Sequence, residues 1–219
     1  MKIKAIITGT TGMVGEGVMH ECLNHPDVDE VLVLNRRPCS VQHPKLKEII
    51  HNNFYDFSSI TEQLKGYNAC YFCLGTTSVG KKEDEYTKIT FDITKVLADE
   101  LVRYNPDMTF CYISGAGTDS TEKGKIMWAR IKGRTENYVL NLGFKQAFAF
   151  RPAIISPTKG LKNTLSFYKY LFFLLPAIKL FFPKRICSLK EIGLAMINSV
   201  NKGYEKKVFE VGDIVKLAK

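Results

Sequence analysis

The chain opens on an apolar run that breaks into three evenly spaced glycines and then turns helical, and that succession restricts the fold more than anything after it. Residues 3–17 read IKAIITGTTGMVGEG, with Gly9, Gly12 and Gly15 three apart. Val14, Val18 and Leu23 give the next segment a helical apolar stripe. A strand that feeds a helix through such a turn presents the helix's first amides to an anion, so the layout predicts a bound dinucleotide pyrophosphate. Gly9 permits a sharp turn at positive φ, Gly12 removes a Cβ where phosphates approach, and Gly15 lets helix and strand pack closely.

The alternation continues. Strand-like runs at 31–34, 46–51, 69–74, 108–114 and 146–151 are separated by helical stretches at 58–64, 82–104 and 123–142, the first of these preceded by the capping sequence Asp56-Phe-Ser-Ser. Such βαβ order predicts an α/β fold, a doubly wound parallel sheet of the Rossmann type, with ligands at the carboxyl ends of its strands. With 219 residues the chain suits one domain spanning 1–219. Within it, 155–190 reads as an apolar insertion, a small C-terminal helical region on the substrate side. A helix at 191–201, a strand at 208–211 and a last helix capped by Asp213 complete the pattern.

Composition excludes more than it selects. With 45% hydrophobic and 24% charged residues the chain can bury a core, and the net charge of +9 suits nucleic acid, an anionic membrane or a phosphorylated ligand alike. The basic stretch 123–134 carries no reader motif, which argues against nucleic acid. Cys70 and Cys73 lie in a strand pattern, where residues three apart face opposite ways, so they read as core thiols rather than a redox pair. His20, His25, His43 and His51 lack metal-ligand spacing, no metal site is expected, and no Gly-x-Ser-x-Gly elbow is present. Reduced cysteines without a secretory signal predict a cytoplasmic protein. Residues 170–182, YLFFLLPAIKLFF, are too short and too interrupted by Pro176 and Lys179 to span a bilayer. They suit a pair of short helices over the cofactor site, which could also form a homodimer surface. The alternative is an interfacial helix making peripheral membrane contact.

The end of the second strand reads Asn35-Arg36-Arg37, where nicotinamide folds carry an acidic ribose partner. With no carboxylate there to repel a 2′-phosphate and two guanidinium groups to grip it, NADP is expected, with NAD second. Asn53 and Phe54, after the third strand, are placed to meet the adenine. The small-residue turn Leu74, Gly75, Thr76 and Thr77 lets backbone pass close to the ribose and second phosphate.

These residues, taken in order, resemble the short-chain dehydrogenase/reductase superfamily, and within it the atypical NAD(P)-binding epimerase/dehydratase-like and NmrA-like proteins. The matching segments are Thr8-Gly-Thr-Thr-Gly-Met-Val-Gly15, Cys73-Leu-Gly-Thr-Thr77, Ile113-Ser-Gly-Ala-Gly117, Trp128-Ala-Arg-Ile-Lys132 and Phe150-Arg-Pro-Ala-Ile154. The resemblance runs through about residue 155 and resumes at the C-terminal strand and helix, leaving 160–190 unmapped. It implies cofactor contacts from Gly9, Thr11, Gly12, Met13, Val14 and Gly15, and from Lys132 and Pro152 beside the residues above. It also implies a serine or threonine after the fifth strand and a Tyr-x-x-x-Lys pair on the next helix. In that chemistry the tyrosine exchanges a proton with a small-molecule substrate, and the lysine holds the ribose and lowers the tyrosine pKa. Here Trp128 holds the tyrosine position, and an indole N–H cannot cycle a proton. Ser114 and Lys132 remain as catalytic candidates, Ser114 for steering a carbonyl. The expected function is an NADP-dependent oxidoreductase or epimerase-like protein acting on a partly hydrophobic small molecule. A catalytically silent sensor or scaffold is the alternative that Trp128 favours.

Overall fold

The computed structural model describes residues 2–164, 182 and 185–219. Its strands are β1 (Ile3–Thr8), β2 (Val28–Asn35), β3 (Leu46–Ile50), β4 (Ala69–Phe72), β5 (Thr109–Ile113), β6 (Gln146–Arg151), β7 (Ile154–Ser156), β8 (Ile186–Ser188) and β9 (Val208–Glu210). The helices are α1 (Met13–Asn24), α2 (Glu83–Thr87), α3 (Ile93–Tyr104), α4 (Met127–Leu140), α5 (Leu189–Lys202) and α6 (Val211–Leu217). Among the described residues, seven strands form a parallel sheet in the order β3-β2-β1-β4-β5-β6-β9, while β7 and β8 pair separately.

The strands show why the sheet is covered on both sides. β1 is buried everywhere except Lys4, as a strand between two helical layers must be. Successive side chains then serve opposite cores. Ile3, Ala5 and Ile7 pack with Val18 and Met19 of α1, Met196 of α5 and Ile214 of α6. Ile6, Cys70 and Phe72 pack with Leu97 and Leu101 of α3 and Val139 of α4. Cys70 thus belongs to one core and Cys73 packs against the other, and burial pushes both thiols up, away from reactivity.

Three differences from the periodicity have a clear physical cause. The helix read over 82–104 is α2 and α3 joined by a π-helical turn, Lys88–Asp92, whose wider winding no apolar spacing announces. The helix read from residue 123 begins at Met127. Asp119 captures the amides of Thr121 and Gly124 at 2.9 and 2.7 Å, and Glu122 takes φ 61°, so residues 119–124 close on themselves instead. The last helix starts at Val211, not after Asp213, because Glu210 and Asp213 form a reciprocal capping box.

Residues 165–181 lie outside the described residues, and with them all of the 170–182 stretch except Phe182. The stretch that leads into it, through residue 164, is described. Both oxygens of buried Glu16, in the first turn of α1, accept backbone N–H groups, from Lys162 at 2.8 Å and Asn163 at 2.7 Å.

Candidate functional site

The strand order reverses between β1 and β4, so the crossovers leave that point in opposite directions and a crevice opens at the carboxyl ends of the strands. Gly9 forms its floor at φ 73°, and a Cβ there would stand 2.7 Å from the Leu74 nitrogen. At Gly15 a Cβ would meet the Gly9 carbonyl oxygen at 2.2 Å. The first helical hydrogen bond of α1 runs from Glu16 N–H to the Gly12 carbonyl at 2.9 Å. The amides of Met13, Val14 and Gly15 precede it and have no helical acceptor, which suits them to an anion.

A cavity of about 200 Å³ lies over this turn, walled by Thr11 and Gly12, by Asn35 at the end of β2 with Arg36 and Arg37 beyond it, and by Leu74 and Gly75 beyond β4. A second, of about 220 Å³, shares Arg36, Phe54, Leu74 and Gly75 with it and extends to Asn52, Tyr55, Thr76, Ile89 and Ile93. Phe54 is held edge-on against Phe57, ring centroids 5.5 Å apart, and Phe57 stacks on His51. Gly9, Gly12, Thr11, Asn35, Arg36, Arg37, Phe54, Leu74, Gly75 and Thr76 therefore converge on one groove.

Some residues are used differently. Asn53 Oδ1 accepts the Tyr55 amide at 3.1 Å within its own loop, and its neighbour Asn52 lines the groove instead. Thr77 accepts the Val79 amide at 3.2 Å and lies outside both linings. Asn35 is buried and donates to Thr10 Oγ1 at 2.7 Å and to Glu48 Oε1 at 3.0 Å, bracing the first turn against β2 and β3. The expectation that no carboxylate stands near this point is thus corrected. Glu48 arrives from the adjacent strand, thirteen residues along the chain, where motif spacing does not look.

Beyond β5, Ser114 is buried with its Oγ 2.8 Å from Thr118 Oγ1. Thr118 gives its own proton to the Gly115 carbonyl at 2.7 Å, so Ser114 is the donor of the pair and its proton is committed. Pro152 contributes its carbonyl, which accepts the Ala116 amide at 3.0 Å and ties this loop to β6. One turn apart on α4, Trp128 and Lys132 share a face. Lys132 Nζ donates to the carbonyls of Ile113 and Ser114, each at 3.3 Å. Burial lowers its pKa to about 8, an effect that Glu136 partly opposes. Trp128 packs beside Tyr86 and Ile131, and burial raises the hydroxyls of both Tyr86 and Tyr112, away from proton exchange near neutrality.

The model of the NAD dependent epimerase/dehydratase family matches residues 5–124. Protein FMP52-1, mitochondrial, of Scheffersomyces stipitis is 25% identical over 231 aligned residues, covering 99% of each chain. Protein fmp52-1, mitochondrial, of Aspergillus terreus is 28% identical over 70% of this chain and 67% of its own. Among solved structures, the ADP-L-glycero-D-manno-heptose-6-epimerase of Helicobacter pylori superposes with a TM-score of 0.66 at 16% identity, over 100% of this chain and 81% of that one. WbmF of Bordetella bronchiseptica, solved with NAD+, gives 0.69 at 12% identity, over 99% and 76%. These likenesses bear out the doubly wound fold and a nicotinamide cofactor. They also overturn the cytoplasmic expectation, since these relatives are named as mitochondrial proteins; thiol burial, on which it rested, does not distinguish one reducing compartment from another. A glycine turn built for a pyrophosphate, the groove that continues it and the family match over more than half the chain agree: the chain belongs to the NAD-dependent epimerase/dehydratase family.

Proposed function

We propose that this chain binds NADP in the groove between β1 and β4 and acts as an oxidoreductase or epimerase-like enzyme on a partly hydrophobic small molecule. The observation that carries this is the pair of joined cavities, which leads from the turn at Gly9, Thr11 and Gly12 that precedes α1 past Arg36 and Arg37. The coenzyme, when bound, supplies or accepts hydride. The amides of Met13 and Val14 hold its pyrophosphate, and Phe54, Ile89 and Ile93 give the adenine apolar walls. Arg36 and Arg37 offer the planar forks that suit a 2′-phosphate. Glu48 already receives Asn35 and the Cys39 amide on Oε1, which blunts its repulsion of that phosphate. Replacing Arg36 and Arg37 together with alanine is expected to weaken NADP about tenfold to a hundredfold and NAD less than about threefold. Calorimetry showing equal losses for both coenzymes removes the NADP preference, and a parent that binds neither removes the whole proposal.

A proton must also move. Trp128 has none to exchange, and that of Ser114 is committed to Thr118. Among the described residues beyond β5, the Lys132 ammonium, brought to about 8, is suited to give one to a substrate oxygen bound beside Ser114. Val79, 83% exposed, and Ile126, 58% exposed, put apolar side chains on the loops at this end of the sheet, which supports a substrate with an apolar portion. A mitochondrial location is supported by the names of the fungal relatives.

Trp128 favours a second reading, a dinucleotide-responsive binding protein without turnover. Trp128→Tyr separates the two. An enzyme that uses Lys132 already oxidises NADPH with some aldehyde, ketone or quinone, and the variant changes its rate; a binder shows turnover only in the variant.

A further inference from the structure

Lys132 is not alone beneath the β5 terminus. Glu136 follows one turn later on the same helix face and is fully buried. From β6, Arg151 grips it with both arms of its fork, Nε donating to Oε1 at 2.9 Å and Nη2 to Oε2 at 2.5 Å. Arg151 is fixed in turn, Nη2 by Ser120 Oγ at 2.6 Å and Nη1 by Glu210 at 3.4 Å. A buried carboxylate with this bidentate partner has little freedom to rotate. Among the described residues, the ammonium also meets the two carbonyls and the ring of Tyr112, 5.5 Å away. The phenols of Tyr112 and Tyr86 stay neutral because burial raises them both. Among the described residues, Glu136 is thus the buried carboxylate set one helical turn from Lys132, and Arg151 draws on the same charge.

We propose that Glu136 is a positioning residue for Lys132, compensating the ammonium's charge at the end of β5, and that Arg151 limits how much of that compensation Lys132 receives. This deepens the proposed function, since it rests on Lys132 as the proton donor. It sets two opposite expectations. Removing the charge of Glu136 leaves Lys132 less able to stay protonated. Removing Arg151 frees Glu136 to act on Lys132 alone.

The test is an NMR titration of the Lys132 side chain in the full chain without coenzyme, using isotope-labelled lysine and Lys132→Arg for assignment. Glu136→Gln is expected to lower the Lys132 midpoint by about one pH unit and Arg151→Met to raise it by a similar amount. Glu136→Asp, which keeps the charge, is expected to stay near the parent. A variant that merely loosens the fold moves the midpoint toward that of exposed lysines in every case, so opposite shifts separate the proposal from a structural role. Should either first-choice variant fail to fold, Glu136→Met or Arg151→Gln, which also removes the charge, is titrated in its place with the same direction of shift expected. A parent Lys132 that titrates with the exposed lysines, or folded variants whose midpoints do not part in these directions, overturns it. Because the readout needs no coenzyme, a failure of dinucleotide binding leaves this result standing, and the two proposals fail separately.

Discussion

Gly15→Ala is expected to lower NADP affinity on the order of a hundredfold and to destabilise the fold by about 3 kcal/mol. The added methyl would stand 2.2 Å from the Gly9 carbonyl oxygen and 2.8 Å from the Thr10 nitrogen, both backbone atoms that cannot rotate away. Either α1 lifts from the turn or the turn moves, and both displace the amides of Met13 and Val14 from the groove. Gly9 cannot yield easily, because its positive φ and its approach to Cys73 and Leu74 fix it from the other side. Calorimetric titration and thermal melting check this together, with a fall in Tm on the order of 10 °C. A variant that melts and binds like the parent would show that the turn is not the coenzyme's seat.

Lys132→Met is expected to move stability and binding in opposite directions. In the folded chain without coenzyme, burial depresses the Lys132 pKa to about 8 from an ordinary value near 10.5. Between these values the unfolded state binds more protons than the folded one, so the parent gains stability as pH rises from about 8 to about 10.5 and carries the full penalty below about 8. Methionine keeps much of the packing and removes the charge. At pH 7 the variant is expected to be more stable by on the order of 1 kcal/mol, after discounting the lost carbonyl contacts and solvent access. Above pH 10.5 the advantage should vanish. Dinucleotide affinity falls about tenfold and turnover is lost. Chemical denaturation at pH 7 and pH 10.5 tests the first part, and a variant that is less stable at pH 7 would show that the ammonium is well compensated in place.

Much of this architecture was legible because parallel strands and their glycine turns are local features. The run from Ile3 to Gly15 carries its own strand, turn and helix start, and Arg36 and Arg37 follow directly from where the second strand ends. What escaped depends on which strands become neighbours. Glu48 meets Asn35 only because β3 pairs with β2, and Arg151 meets Glu136 only because β6 brings its end beneath α4. Glu136 had a local signal, its place four residues after Lys132, which spacing could have raised. Ile89 and Ile93 reach the second cavity through a π-helical turn, which leaves no mark on apolar periodicity. Asn52 lines the groove while Asn53 turns into its own loop, a choice sequence cannot show because a loop's side-chain directions have no fixed period.

The Glu16 carboxylate has a consequence for how such a protein can diversify. It grips main-chain amides, which every residue but proline provides, so nothing in the grip depends on which side chains stand at 162 and 163. A lineage could rewrite the text of that region to suit new chemistries while its mooring on the coenzyme helix held, needing only one acid on the helix and no proline at the knot.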